Sequence, residues 1–246
     1  REYELTGDVK KRQESEYWKS IEFSLFHKVA VSYYPSYVEE EAIHAVDETI
    51  PVKAITAYVY EEFLQNLNKD FAKREGLLFV GGFAHPPNAD AVLWFAKEVF
   101  PKIREQIKVN FYIVGSKVTD EIKALEQPGN GIIVKGFVSE EELADLYRNC
   151  RIVVVPLRYG AGVKGKVVEA IYNGAPIVTT SVGSEGIPDV EKVLLVKDQP
   201  DEFAETVVEL YKDEKRLEDL AEKTQVYIRE HFSIDAAWDV IKEDFE

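Results

Sequence analysis

From Leu77 onward the chain alternates two patterns of apolar and polar positions. Short runs in which nearly every residue is apolar (LLFVGG, VNFYIVGS, GIIVKGFV, RIVVVPL, APIVTTS, VLLVKD) are separated by longer segments such as NADAVLWFAKEVF and EELADLYRNC. In those longer segments apolar residues recur every three or four positions, which predicts helices, whereas the short β-rich runs predict strands. Strands that are apolar throughout belong in a parallel sheet covered by helices on both faces. The expected fold class is therefore α/β, a doubly wound parallel sheet of Rossmann-like type. Local punctuation agrees. Asn88 is placed to cap the helix after Pro86 and Pro87, Ser139 and Glu142 have capping-box spacing, and Gly174 falls at a helix C-cap. Three helical segments with charged outer faces close the chain, and in the last of them Ile234, Ala237, Trp238 and Ile241 form one apolar stripe.

Residues 1 to about 75 read differently. KKRQESEYWKSIEFSLFHK predicts an amphipathic helix, VAVSYY a strand, PSYVEEEAIHAV a short helix and VKAITAYVY a second strand. Together they make a βαβ piece with too few strands for a domain. The polar run EFLQNLNKDFAKREG is the candidate linker to the α/β domain. The expected division is a segment over 1–75 and a complete domain over 76–246.

Composition narrows the function classes. A net charge of −15 over 246 residues leaves no broad basic face for nucleic acid. Cys150 is the single cysteine, so no internal disulfide framework exists, and its setting in YRNCRIVVV predicts a buried thiol beside a strand. No apolar run reaches the roughly 20 residues needed to span a bilayer, and the expected location is the cytosol. A chain that begins at Arg1 and contains no methionine reads as a fragment.

Ligands of open α/β sheets bind beyond the carboxyl ends of the strands. One such stretch, YGAGVKGKVVEAIYNGAP, combines Gly160, Gly162 and Gly165 with a helix starting near Lys166. Between Arg151 and Val168 lie four cations (Arg151, Arg158, Lys164, Lys166) and no acid, in a chain with 45 acids and 30 bases. Lysines at a helix entrance oppose the macrodipole unless an anion sits there, so the pattern points to a phosphate or diphosphate. The alternative is a solvated loop. Glu169 lies one turn beyond Lys166 and can accept from the two hydroxyls of a ribose, or simply form an i,i+3 ion pair with Lys166. Gly81 and Gly82 end the first strand of the domain and allow close approach to a sugar phosphate. His85 follows in the same loop, where it either reaches a sugar hydroxyl or is incidental. No dinucleotide fingerprint, P-loop or metal-ligand spacing is present.

The segments VGGFAHPPNADAVLWFAKEVFP, FYIVG, VKGFVSEEELADLY, VVVPLRYGAGVKGKVVEAIYNGAPIVTTSVGSEGI, LLVKDQPDEFAETVVELYKD and HFSIDAAWDVI resemble, in order and spacing, the C-terminal half of GT-B glycosyltransferases of the family 4 (group 1) type. The resemblance covers 77–246, and residues 1–60 look like the end of the acceptor-binding half. It implies a nucleotide-diphospho-sugar as donor substrate, retention of anomeric configuration, and neither metal nor cofactor. It also implies a glycan or lipid-linked acceptor reached through the N-terminal half, with room for peripheral membrane association and for a homo-oligomer. Carried over by residue, it puts Lys166 on the diphosphate and Glu169 on the ribose, as the catalytic pair. Gly82 falls near the sugar-phosphate linkage, Phe137 and Val138 beside the base, and the loop of Gly162, Val163 and Lys164 against the sugar. Two features depart from the family pattern. Ala161 stands where the first of a pair of glutamates is usual, and the arginine and lysine common after the first strand are missing from GGFAHPPN, which leaves Lys164, Lys166 and Arg158 as the candidates to meet the diphosphate charge. A sugar-nucleotide epimerase of the same architecture and a non-catalytic nucleotide-binding module are the alternatives. As a fragment, the chain is expected to bind donor without transferring it.

Overall fold

The structure, a computed structural model, describes residues 9–245; the first eight residues of the expected N-terminal segment lie outside them. Helix α1 (Val9–Phe26), strand β1 (Ser32–Tyr34), helix α2 (Tyr37–His44) and strand β2 (Val52–Ala54) come first. β1 and β2 pair in parallel, with α2 as the crossover. A small cluster of Phe26, Ile43, Ile50 and Val52 is buried beneath them. The helix over 9–26 forms, but its expected amphipathic burial does not. Phe26 is its one buried residue, while Val9, Tyr17, Trp18 and Leu25 are exposed, because only its last turn reaches the cluster.

The six apolar runs all form strands: β3 (Leu77–Val80), β4 (Phe111–Val114), β5 (Ile132–Gly136), β6 (Ile152–Val155), β7 (Ile177–Thr179) and β8 (Leu194–Val196). They make one parallel sheet in the order β5-β4-β3-β6-β7-β8. From β3 the chain winds outward to β4 and β5, then returns to the other side of β3 with β6. The crevice beyond the ends of β3 and β6 is thus the switch point where such sheets bind ligands.

Helices α3 (Pro86–Trp94) and α4 (Phe100–Gln106) are joined by a π turn over Phe95–Val99. Pro101 follows that turn and has no N–H to continue a regular ladder. The remaining helices are α5 (Asp120–Lys123), α6 (Glu140–Asn149), α7 (Gly165–Tyr172), α8 (Ser181–Ser184), α9 (Pro200–Lys212), α10 (Glu214–Phe232) and α11 (Ile234–Ile241). Ser139 caps α6 by accepting from the Glu142 amide, as its spacing predicts. Gly174, with φ of +66°, follows the C-cap of α7. Asn88 does not cap α3. His85 holds that position, and the Asn88 side chain turns into the sheet crevice.

The expected linker has no regular element, yet it is pinned to the domain. Phe71 is fully buried, and the buried Arg74 donates to the carbonyls of Cys150 (2.7 Å) and Tyr147 (3.1 Å). Arg151 donates from Nε to the Tyr211 carbonyl (2.8 Å) and also reaches the Phe71 carbonyl. Polar residues here satisfy loop carbonyls rather than solvate a tether. Cys150 is buried, as its neighbours predict, and burial pushes its thiol up to about 11.

The strand pair leans on the C-terminal helices. Tyr33 and Lys53 both bond Asp244 (2.7 Å each to Oδ2), and the Tyr60 amide donates to the Phe232 carbonyl (2.8 Å). The stripe expected on α11 is rotated, however. Ile234 and Trp238 are exposed, while Ala236, Ala237 and Val240 face a cavity of about 240 Å³ shared with Pro35 and Thr56. Ser233, extended between α10 and α11 and capping α11 by accepting from the Ala236 amide, is bridged to Tyr60.

Candidate functional site

At the switch point the backbones of two strand ends touch. A Cβ on Gly115, after β4, would lie 1.9 Å from the Gly81 carbonyl oxygen. Beside them Asn88 is buried, donating from Nδ2 to the Gly82 carbonyl (2.8 Å) and accepting at Oδ1 from Lys166 Nζ (2.5 Å). Lys166 crosses from the first turn of α7 over Gly81, where a Cβ would come within 3.2 Å of Lys166 Cε. Its ammonium also lies 5.7 Å from the centroid of the Phe79 ring. Burial, and secondly the charge of Lys164, push the Lys166 ammonium down to about 8.

The start of α7 is open. Lys164 is its N-cap but its side chain does not cap; the Lys164 carbonyl accepts from Val167 (2.8 Å). Among the described residues the amides of Gly165 and Lys166 donate to no acceptor, leaving them for an anion. The Lys164 side chain is buried, bonded to the Gly162 carbonyl and 3.5 Å from the Glu185 carboxylate. Tyr58 closes the other side: a Cβ on Gly165 would fall 2.7 Å from its hydroxyl. One turn on, Glu169 accepts from the buried Tyr147 hydroxyl at 3.2 Å. Burial raises the Glu169 carboxyl above the usual range, and the Tyr147 bond opposes that rise.

The structure therefore brings Gly81, Gly82, Lys164, Lys166 and Glu169 around one crevice, with Gly162 and Val163 in the loop above it. Among the described residues Glu169 and Lys166 form no ion pair, since each has another partner. Two of the four cations that marked the stretch are met elsewhere. Arg151 serves the loop carbonyls at the opposite end of β6, and the Arg158 guanidinium pairs with Asp90 (Nε to Oδ2, 2.9 Å) while lying 6.0 Å from Trp94. His85 is exposed at the N-cap of α3. Phe137 and Val138 follow β5, two strands from β3, with Phe137 81% exposed and Val138 packed on the core. Asn88, Tyr58 and Tyr147 were not singled out for the site. Asn88 carried a cap signal that concealed its role, and the two tyrosines carry no local signal at all.

Residues 74–213 match the family of glycosyl transferases, group 1. The chain belongs to that family. Among curated relatives of this chain is an uncharacterized 44.6 kDa protein in the cps region of Klebsiella pneumoniae, 29% identical over 184 residues, which are 71% of this chain and 45% of the relative. Among solved structures, a mutant of S. aureus TarM in complex with fondaparinux, alpha-GlcNAc-glycerol and UDP superposes with a TM-score of 0.72 at 14% identity, over 90% of this chain and 45% of that one. The pneumococcal O-GlcNAc transferase GtfA in complex with UDP and GlcNAc gives 0.64 at 20% identity, over 89% and 45%. The fold is the α/β fold of GT-B glycosyltransferases. The chain spans about half the length of these relatives. Among its described residues no helix is long and apolar enough to cross a membrane, and no group of His, Cys, Asp and Glu has the arrangement of a metal site.

Proposed function

We propose that the crevice binds a nucleotide-diphospho-sugar and that the chain is the donor-binding part of a retaining hexosyltransferase acting on a glycan or lipid-linked acceptor. In this reading residues 76–246 are the donor domain and residues 1–75 the end of the acceptor-binding domain. The observation that carries it is Lys166, held by Asn88 at 2.5 Å beside the two unpartnered amides that open α7. That arrangement is a preorganised cradle for a departing diphosphate, whose growing charge is met by lysine and amide dipoles without reorganisation. No metal or cofactor is called for. Glu169, fixed by Tyr147 one turn along, is placed for ribose hydroxyls. The UDP in the TarM and GtfA structures and the cps-region relative support a nucleotide sugar and polysaccharide synthesis.

Calorimetry of the chain with UDP, GDP and dTDP, each against its free nucleoside, tests the binding. One diphosphate should bind far more tightly than its nucleoside. Incubating the full-length protein with radiolabelled nucleotide sugars should then show label on an acceptor; binding without transfer would favour the nucleotide-binding module.

A further inference from the structure

The loop set against the sugar contains no acid from Tyr159 to Lys166, yet a hexose offers mainly hydroxyls, which carboxylates grip best. Two carboxylates of the α/β domain lie near, and both are engaged: Glu169 with Tyr147, and Glu185 with Lys164. A third comes from the other segment. Glu39 stands on the first turn of α2, and a Cβ built on Gly162 would lie 3.9 Å from its Oε1. We propose that Glu39 is a sugar-binding residue, its Oε1 accepting hydroxyls of the transferred hexose beside Gly162. This inference rests on the donor reading above.

Three features support it. First, the carboxylate is aimed. Its Oε2 accepts from the hydroxyl of the buried Ser36, while Oε1 has no hydrogen-bond partner among the described residues. Second, helix capping does not account for it. Ser36 and Glu39 have capping-box spacing, but the Ser36 side chain makes no cap bond. The structural acid of this turn is Glu40, which accepts from the Ala54 amide at 2.9 Å and ties α2 to β2. Third, the distance to the loop is set by packing. At Gly186, with φ of +75°, a Cβ would lie 2.7 Å from Ser36 Cβ and 3.0 Å from Val163 Cγ2, so α2, the loop and residue 186 meet without slack. Gly162, with φ of +74°, leaves the space in front of Oε1 unfilled.

The test is calorimetry of the 246-residue chain with whichever of UDP, GDP and dTDP binds best, and with its glucose, galactose, mannose and N-acetylglucosamine conjugates. Glu39→Gln keeps size and helix-start hydrogen bonding. It should leave diphosphate affinity within about twofold and weaken the preferred conjugate about tenfold or more, the loss for one charge-assisted hydrogen bond. Ser36→Ala should move the same ratio in the same direction by less. A diphosphate that binds normally, with conjugate affinity equal in wild type and Glu39→Gln, overturns the assignment, and a lowered Tm as the sole effect would make Glu39 a helix-start clamp. If the wild-type chain binds no diphosphate, the donor reading falls and this inference with it.

Discussion

Lys166 is half-buried beside a second lysine, and on the donor reading proposed above it would have to be charged to hold a diphosphate, two demands that ordinarily conflict. Its depressed titration, at about 8 against the usual 10.5, is the physical trace of that conflict. Between those values the ligand-free folded chain carries a neutral lysine while the unfolded chain keeps its proton. The contribution of this group to stability therefore rises with pH across that window. Diphosphate affinity should run the other way and fall as pH climbs through about 8, measured by calorimetry at pH 7 and 9. Lys166→Arg, which stays charged, should flatten that dependence. Lys166→Ala should weaken a nucleoside diphosphate by roughly 1.5–3 kcal/mol and the nucleoside much less. Equal losses for both ligands would place the lysine away from the phosphates.

At the scale of elements, α7 is shaped as much by what stands at its entrance as by its own residues. Gly165 is the first residue of the helix, where alanine would gain up to about 1 kcal/mol of intrinsic propensity. Tyr58 reverses that preference, because the added methyl would sit 2.7 Å from its hydroxyl and 3.0 Å from its ring. Gly165→Ala should cost about 1–3 kcal/mol in the wild type, as overpacking does, and become neutral or favourable in a Tyr58→Ala background. Urea unfolding of the four proteins of that cycle decides it. Purely additive effects would show that Tyr58 does not guard the helix entrance.

For the whole molecule, packing against the α/β domain begins before the polar run. Tyr60 stacks on Tyr172 of α7 at 4.2 Å and its amide joins α10, so residues 58–60 pack with the α/β domain although β2 ends at Ala54. A chain of residues 55–246 should keep nucleoside-diphosphate affinity within a few-fold and melt cooperatively. Removing residues 1–60 should cost roughly 2 kcal/mol or more, from lost aromatic burial and stacking. Thermal melts with and without ligand separate the two. A diphosphate at 100 times its Kd should add about 2.7 kcal/mol wherever the crevice is intact.

Every strand of the six-stranded sheet, and the crevice at its switch point, could be read from the residues. Those features depend on local hydrophobic period and on a topological rule that holds whatever the side chains do. That Gly81, Gly82, Lys166 and Glu169 lie at that crevice could be read for the same reason, since all four sit in or just after loops at strand ends. Partnership was a different matter. That Arg151 and Arg158 are spent on carbonyls and on Asp90, that Asn88 holds Lys166, and that Tyr147 holds Glu169 was decided by the tertiary structure, as were the pinned segment around Phe71 and Arg74 and the approach of Glu39 to Gly162. Each pairs residues far apart in the chain, as with Asn88 and Lys166 at a separation of 78. Local pattern carries no information about such a pair, because it forms only when sheet closure and helix packing bring the two side chains into hydrogen-bond range.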